Sequence, residues 1–391
     1  MNRFVNRLAL IIAATLVALL LSLSPGVLAA GSLAAGSGDY IVVLKDSAPA
    51  SAVVASAHGE RYGASVTRVY GHALKGYAAR LDGRQLLAVR ADSAVDYVVP
   101  DGVVTIDTTQ TGATWGLDRI DQRKLPLSGT FTYTNTGAGV TAYVIDTGIR
   151  LSHSEFGGRA TSGWDFVDND ANASDCNGHG THVAGTIGGT TYGVAKGVAL
   201  VAVRVLDCGG SGTTSGVIAG IDFVTSEHHP GEPAVANMSL GGGANIALDQ
   251  ALRNSIADGV AYAVAAGNSN ADACGFSPAR VAEAMTVGAS TSADAKASFS
   301  NWGPCMDWFA PGQDITSAWN TGDSATNTIS GTSMASPHTA GVAALYLQSF
   351  SSASPATVQK ALASAATPRR ISGLNRLLNP GTRNLLLFTN Q

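Results

Sequence analysis

From Val140 onward, short apolar runs alternate with longer segments of helical periodicity. The runs are Val140–Ile145, Leu200–Val205, Ala234–Ser239, Val260–Ala266 and Ala284–Val287. Each is nearly continuous, which suits a strand buried on both faces, as in a parallel sheet. Helices are predicted between them at His179–Ile187, Thr214–Ser226, Ile246–Ala257 and Ser333–Gln348. This alternation predicts a doubly wound α/β domain, a mostly parallel sheet flanked by helices. Ligands of such sheets bind just past the carboxyl ends of the strands. Asp146 ends the first run, Ser239-Leu240-Gly241-Gly242 the third and Gly267-Asn268 the fourth, so these segments form the candidate site.

The N-terminal part has a different pattern. Arg3 and Arg7 precede an apolar run from Leu8 to Leu23, followed by small residues through Ala35. That run has about 16 residues, short of the roughly 20 needed to span a bilayer. Residues 1–30 therefore read as a secretory signal peptide, with cleavage between Ala29 and Ala35. Residues 38–107 read as a small α+β unit, with strands at Tyr40–Leu44, Gly76–Leu81 and Val95–Val99 and a helix at Ser51–Arg61. Its exit, Ile106 to Gly112, is rich in Thr and Gly and reads as a linker.

Composition narrows the class. Of 391 residues, 45% are hydrophobic and 13% charged, with 46 glycines in no three-residue period, which excludes a disordered chain and a collagen. The net charge of −4 leaves no basic footprint for nucleic acid. Four cysteines, Cys176, Cys208, Cys274 and Cys305, are an even count in an exported chain. They suggest two disulfides in one of three pairings, and no C-x-x-C spacing points to a metal instead.

Four residues carry candidate chemistry. Asp146, in Tyr143-Val-Ile-Asp-Thr-Gly148, lies at the sheet rim and alone would pass for a turn residue. His179, in Asn177-Gly-His-Gly-Thr-His-Val-Ala-Gly185, opens a helix whose dipole disfavours a resting imidazolium. His182 follows three residues later; without the Glu of H-E-x-x-H it reads as a packed helix residue. Ser333, in Ile329-Ser-Gly-Thr-Ser-Met-Ala-Ser-Pro-His338, begins a long apolar helix. It reads either as an N-cap or as a nucleophile beside its own free backbone N–H. Pro337 is expected in that helix's first turn. Asn268 ends Val264-Ala-Ala-Gly-Asn, where its amide can serve a tight turn or donate to an oxyanion.

Together the four occur in the order Asp, His, Asn, Ser, and Asp…His…Ser is one of the known orders of the hydrolytic triad. With DTG at Asp146, GHGTHVAG at His179, AAGN at Asn268 and GTSMASPH at Ser333, residues 112–388 resemble the subtilisin-like serine proteases. Trp115–Gln122, Arg204–Cys208 and Ala236–Gly243 resemble the proteinase K branch, aqualysin in particular, and residues 38–107 resemble its inhibitory prosegment. A lipase-type elbow around Ser333 is disfavoured, since it needs the order Ser, Asp, His. A nucleotide module lacks G-x-G-x-x-G and a P-loop lysine. An inactive binding scaffold would not keep all four positions.

The resemblance implies a secreted serine endopeptidase that is monomeric, binds no nucleic acid, and does not stay at the membrane once the signal is removed. It implies peptide hydrolysis through an acyl-enzyme on Ser333, with His179 as general base, Asp146 orienting it and Asn268 in the oxyanion hole. Polypeptide substrate would pair with Gly210, Ser211, Gly212, Thr213 and Thr214 on one side and Ser239, Leu240 and Gly241 on the other. Ala265, Ala266, Gly267 and Phe276 would line a primary pocket for apolar or aromatic side chains. Thr214 replaces a tyrosine of the proteinase K pattern. The cysteine placement implies Cys176–Cys208 and Cys274–Cys305. Structural calcium is implied at Asp307 with the carbonyls of Ala282 and Ala284, where Ala282 replaces a proline. A second calcium is implied at Asp118, Asp121, Gln122, Ser128 and Thr130. The prosegment would act as an intramolecular inhibitor and be cut near Thr108, leaving residues 108–391 as the protease domain.

Overall fold

The computed structural model describes residues 37–101 and 108–391. The expected signal peptide and the expected cut before Thr108 lie outside those residues. The chain divides into two compact units at Val104/Thr105.

The first unit contains β1 (Gly38–Leu44), α1 (Ser51–Tyr62), β2 (Ser65–Tyr70), β3 (Gly76–Leu81), α2 (Gly83–Ala91) and β4 (Val95–Pro100). Its antiparallel sheet runs β2-β3-β1-β4. Val42 and Leu44 of β1 and Tyr77, Ala79 and Leu81 of β3 pack against Val54 of α1 and Val89 of α2. The apolar pattern of the sequence predicts neither β2 nor α2. β2 is largely exposed, so burial leaves no apolar pattern in it. α2 is announced instead by a capping box between Asp82 and Gln85.

The second unit begins with β5 (Thr108–Thr111), α3 (Trp115–Ile120), β6 (Thr130–Tyr133), β7 (Thr141–Asp146), β8 (Ala160–Asp165), α4 (His179–Gly188), β9 (Ala199–Arg204), α5 (Thr214–Glu227) and β10 (Ala234–Met238). It continues through β11 (Gly242–Gly243), α6 (Ile246–Asp258), β12 (Ala261–Ala265), β13 (Phe276–Ser277), β14 (Met285–Ser290), β15 (Trp308–Pro311), β16 (Ile315–Ala318) and β17 (Thr326–Ile329). It closes with α7 (Thr332–Ser349), α8 (Pro355–Ala365), β18 (Thr367–Pro368) and β19 (Leu385–Leu386). The central sheet has the order β18-β19-β15-β14-β12-β10-β7-β9-β8. All its neighbours pair in parallel except β18 with β19.

Burial on both faces explains the continuous apolar runs. In β7, Ala142 and Val144 pack with Val183 and Ile187 of α4 and Ala340 and Ala343 of α7. The alternate residues Tyr143 and Ile145 pack with Val217 and Ile221 of α5 and Leu252 of α6. α7 is buried over almost its whole length, as expected for a helix apolar all round. Pro337 lies in its second turn rather than its first. The Ser333 carbonyl that Pro337 cannot engage accepts instead from the Ser239 hydroxyl at 2.7 Å. Among the described residues, no helix is long and apolar enough to cross a membrane.

The chain leaves β7 for β8 and β9 on one side of the sheet and returns to β10 on the other. The strand order therefore reverses between β7 and β10. A crevice opens outside their carboxyl ends, where such sheets place their ligands.

Candidate active site

Asp146 ends β7 in this crevice, and its side chain is fully buried. His179 opens α4, with its ring a quarter exposed, and its Nδ1 lies 2.7 Å from Oδ1 of Asp146. The same carboxylate oxygen accepts the Thr147 N–H at 2.8 Å. Two glycines permit this approach. Gly178, the N-cap of α4, has φ of 113°, and a Cβ on it would lie 2.4 Å from the Trp319 ring. A Cβ on Gly180 would stand 2.1 Å from the Gly148 carbonyl oxygen, so only glycine lets the α4 turn close on the end of β7.

Burial pulls the His179 imidazole down, but the charge and hydrogen bond of Asp146, then the charge of Asp175, outweigh it. The net shift is upward from the ordinary imidazole value. His182 is buried as well, and its Nε2 bonds to the Ile315 carbonyl at 2.9 Å. Burial takes it down to about 4, so it is a neutral core residue, as its sequence context suggested.

Ser333 is the second residue of α7, one past Thr332, and Gly331 holds the N-cap position. The Ser333 hydroxyl donates to the Ser239 carbonyl at 3.1 Å and is not hydrogen-bonded to His179. Asn268 follows β12, and its Oδ1 accepts the backbone N–H of Thr332 at 2.8 Å and the Thr332 hydroxyl at 2.9 Å. Thr332 Oγ1 in turn accepts the Gly267 N–H at 3.0 Å. With its oxygen doubly held, the Asn268 amide has only its NH2 to offer.

A cavity of about 320 Å3 is lined by Ser333, Asn268, Ala265, Ala266, Gly267, Phe276, Ser277 and Ala279. A second, of about 580 Å3, is lined by His179, Gly210 to Thr214, Leu206, Val217 and Leu248. The two share Ser239, Leu240 and Gly241. The structure thus brings together all the residues expected to bind substrate. Leu248 and Ser277 line the cavities too, although no sequence pattern marks them. Thr214 starts α5, and Thr213 caps it by accepting the Gly216 N–H.

Cys176 bonds to Cys208, and Cys274 to Cys305, the pairing the resemblance implied. The first joins the loop before His179 to the strand-end loop that leads into Gly210.

The two expected calcium sites differ. The carbonyls of Ala282 and Ala284 and Oδ1 of Asp307 do converge, at 3.1, 3.1 and 3.3 Å, on the Nε2 of Gln359 from α8. Arg383 Nη1 lies 3.5 Å from the same Asp307 oxygen. An amide donor therefore holds the place where a cation would sit, and the residues as arranged do not fit the metal. At the second site, Asp118 accepts from Ser128 and Gly129, and Asp121 Oδ2 accepts the Thr132 N–H at 2.7 Å. Asp121 Oδ1 is buried with no partner. Burial raises Asp121 to about 6, against the pull of Thr132 and with the charge of Asp118 adding to it. A desolvated carboxylate with a vacant oxygen beside a second carboxylate fits a hard cation. Ser128 and Thr130 hydrogen-bond to each other there, while the Gln122 amide donates to the carbonyls of Lys124 and Pro126. Among the described residues, no group of three or more His, Cys, Asp or Glu side chains could hold a metal.

Residues 137–381 match the subtilase family, and residues 39–107 match peptidase inhibitor I9. The chain is 59% identical over 327 residues to an extracellular serine proteinase of Thermus sp. (strain Rt41A), covering 84% of this chain and 78% of that one. It is 56% identical to alkaline serine exoprotease A of Vibrio alginolyticus over 84% of this chain, and it spans 61% of that longer relative. The crystal structure of a cold adapted subtilisin-like serine proteinase superposes with a TM-score of 0.69 at 58% identity, covering 72% of this chain and 100% of the other. The protein described here belongs to the subtilase family and is a serine endopeptidase.

Proposed function

We propose that Asp146, His179 and Ser333 form the catalytic triad of this endopeptidase, with the Asn268 amide and the Ser333 backbone N–H as oxyanion donors. The observation that carries the reading is the 2.7 Å contact between the buried Asp146 carboxylate and Nδ1 of His179. It fixes the tautomer and leaves Nε2 as the base. Ser333 Oγ turns from the Ser239 carbonyl towards Nε2 when substrate binds, since such bonds are often long or misaligned without substrate. Oγ then attacks the scissile carbonyl carbon as His179 takes its proton. The same proton passes to the leaving amine, and water releases the acyl group from Ser333 by the same route. Asp146 stays ionised, orienting His179 and stabilising its charged form.

Substrate pairs as an added strand between Gly210–Thr214 and Ser239–Gly241. The small walls of Ala265, Ala266 and Gly267 admit an apolar or aromatic side chain, with Phe276 at the side. The chain is exported through residues 1–30, in line with its two disulfides. Residues 38–107 inhibit the enzyme until they are cut away near Thr108, and the working form is a monomer of residues 108–391. A structural calcium would be held by Asp118 and Asp121, with oxygen from Gln122, Ser128 and Thr130, and would supply stability rather than chemistry.

Treatment with a sulfonyl fluoride tests the triad. Peptide mapping should find the label on Ser333, in step with loss of peptide cleavage. A label on another residue, or full activity in Ser333→Ala, would overturn the assignment.

A further inference from the structure

Asp175 lies four residues before His179 and accepts five hydrogen bonds. Its Oδ1 takes the N–H groups of Asn177 and Gly178, each at 2.8 Å, and the Thr147 hydroxyl at 2.9 Å. Its Oδ2 takes the Thr181 N–H at 2.9 Å and the Thr181 hydroxyl at 2.5 Å. The bonds to Asn177 and Gly178 are those of an ordinary Asp turn. The others are not local in that sense. Thr147 belongs to the turn after β7 and is the neighbour of Asp146. Thr181 belongs to the first turn of α4, beside His179.

These bonds close a ring. Thr147 donates its N–H to Asp146 and its hydroxyl to Asp175, and its hydroxyl oxygen accepts the Gly180 N–H at 2.9 Å. The Thr181 hydroxyl oxygen accepts the Arg150 N–H at 3.0 Å, tying α4 to the segment beyond Gly148. His179 and Asp146 thus sit on two segments that Asp175 and Thr147 bind together. An anion is also well placed electrostatically at the α4 N-terminus, where the Gly178 and Thr181 N–H groups donate to it.

We infer that Asp175 is a positioning residue for His179, fixing the α4 N-terminus against the turn after β7 and placing a second negative charge behind the imidazole. The inference rests on the proposed role of His179 as the base. The carboxylates acting on His179 are Asp146 and Asp175. Of the nearby ionisable groups, His182 is neutral, and the Arg150 guanidinium is engaged by Asp323. The Asp175 charge adds to that of Asp146 in favouring the imidazolium that forms when Ser333 is deprotonated.

The test uses Asp175→Asn, Thr147→Val and Thr147→Ser, each made in the full chain and matured. Misplacing a catalytic group by about 1 Å costs on the order of 10²-fold. Asp175→Asn should therefore lower kcat by about 10–100-fold with KM little changed. It should also move the acid limb of kcat/KM to lower pH, since a negative charge that favours the imidazolium is gone. Thr147→Val should lower kcat without moving that limb, because the charge remains, and Thr147→Ser should restore wild-type kcat. The inference is overturned if Asp175→Asn melts and turns over like wild type with an unmoved limb, or if the only change is in melting temperature. Should Asp175→Asn fail to mature, the Thr147 pair decides, and equal kcat in the Val and Ser variants sinks the proposal. Sulfonyl fluoride labelling of Ser333 in the wild type is run alongside. Its absence would sink the triad itself, whereas labelled wild type with unaffected variants sinks only the role of Asp175.

Discussion

Thr332 gives both its backbone N–H and its hydroxyl to Oδ1 of Asn268, so a residue at the start of α7 sets which end of the Asn268 amide is free. Asn268 closes β12 and Thr332 lies next to Ser333. The proposed oxyanion donor and nucleophile are therefore held by one connection across the crevice.

Removing one oxyanion donor typically costs about 10²–10³ in kcat. Asn268→Ala should lose that much while keeping weak activity, with KM nearly unchanged. Thr332→Val should lose less than Asn268→Ala, because the NH2 group is still present but its oxygen keeps only the Thr332 backbone donor. Steady-state hydrolysis of a chromogenic peptide measures both. An Asn268→Ala enzyme as fast as wild type would remove Asn268 from the mechanism.

The His179 shift predicts the acid limb of the pH profile. The base must be neutral to accept the Ser333 proton, so activity falls as pH drops through the His179 pKa. That pKa is raised, because the charges of Asp146 and Asp175 outweigh burial. The acid limb of kcat/KM should accordingly lie above the ordinary imidazole value of about 6.5. A limb well below that value would contradict the assignment of His179 or its pairing with Asp146.

Maturation offers a test that needs no substrate. If the prosegment is cut by the enzyme's own site, Ser333→Ala expressed alone should accumulate as uncut precursor. Gel mobility and N-terminal sequencing read the outcome. A normal cut near residue 107 in that variant would show that another protease does the processing.

The orphan oxygen of Asp121 predicts a calcium response at one place and not at the other. Calcium should raise the wild-type melting temperature and chelator should lower it, because a ligand bound by the folded chain alone stabilises it by mass action. Asp121→Asn should abolish that response. Asp307→Asn should leave it intact, since the Gln359 amide already engages the three oxygens there. Scanning calorimetry at matched pH decides. A response lost in Asp307→Asn but kept in Asp121→Asn would reverse the assignment of the two sites.

Five of the sheet's seven inner strands were legible, because burial on both faces leaves continuous apolar runs; the four-residue β15 and the two-residue β19 are too short to leave one. β7, β9, β10 and β12 are found within a residue or so of the predicted limits. β8 was not read, because it is the sheet's edge strand and carries polar residues, Ala160-Thr-Ser-Gly-Trp-Asp165. α8 was not read either, although Ser354 accepting the Thr357 N–H and Pro355 at the first position form a recognisable start.

By itself the sequence determined the alternation of strand and helix in the main sheet, the family, and the four side chains proposed to react. Each of these depends on residue types at short range: apolar runs, glycines flanking a reactive residue, a polar side chain at a strand end. Tertiary structure alone decided which small polar groups support those four. Asp175 and Thr147 lie in loops and Thr332 opens α7, where no periodicity marks them, and their hydrogen bonds join segments 28 to 65 residues apart. It also decided that Gln359, 52 residues beyond Asp307, meets the oxygens expected to hold a cation. Hydrogen bonds between distant segments leave no pattern in a single chain, because each partner is chosen by where the packed elements bring it.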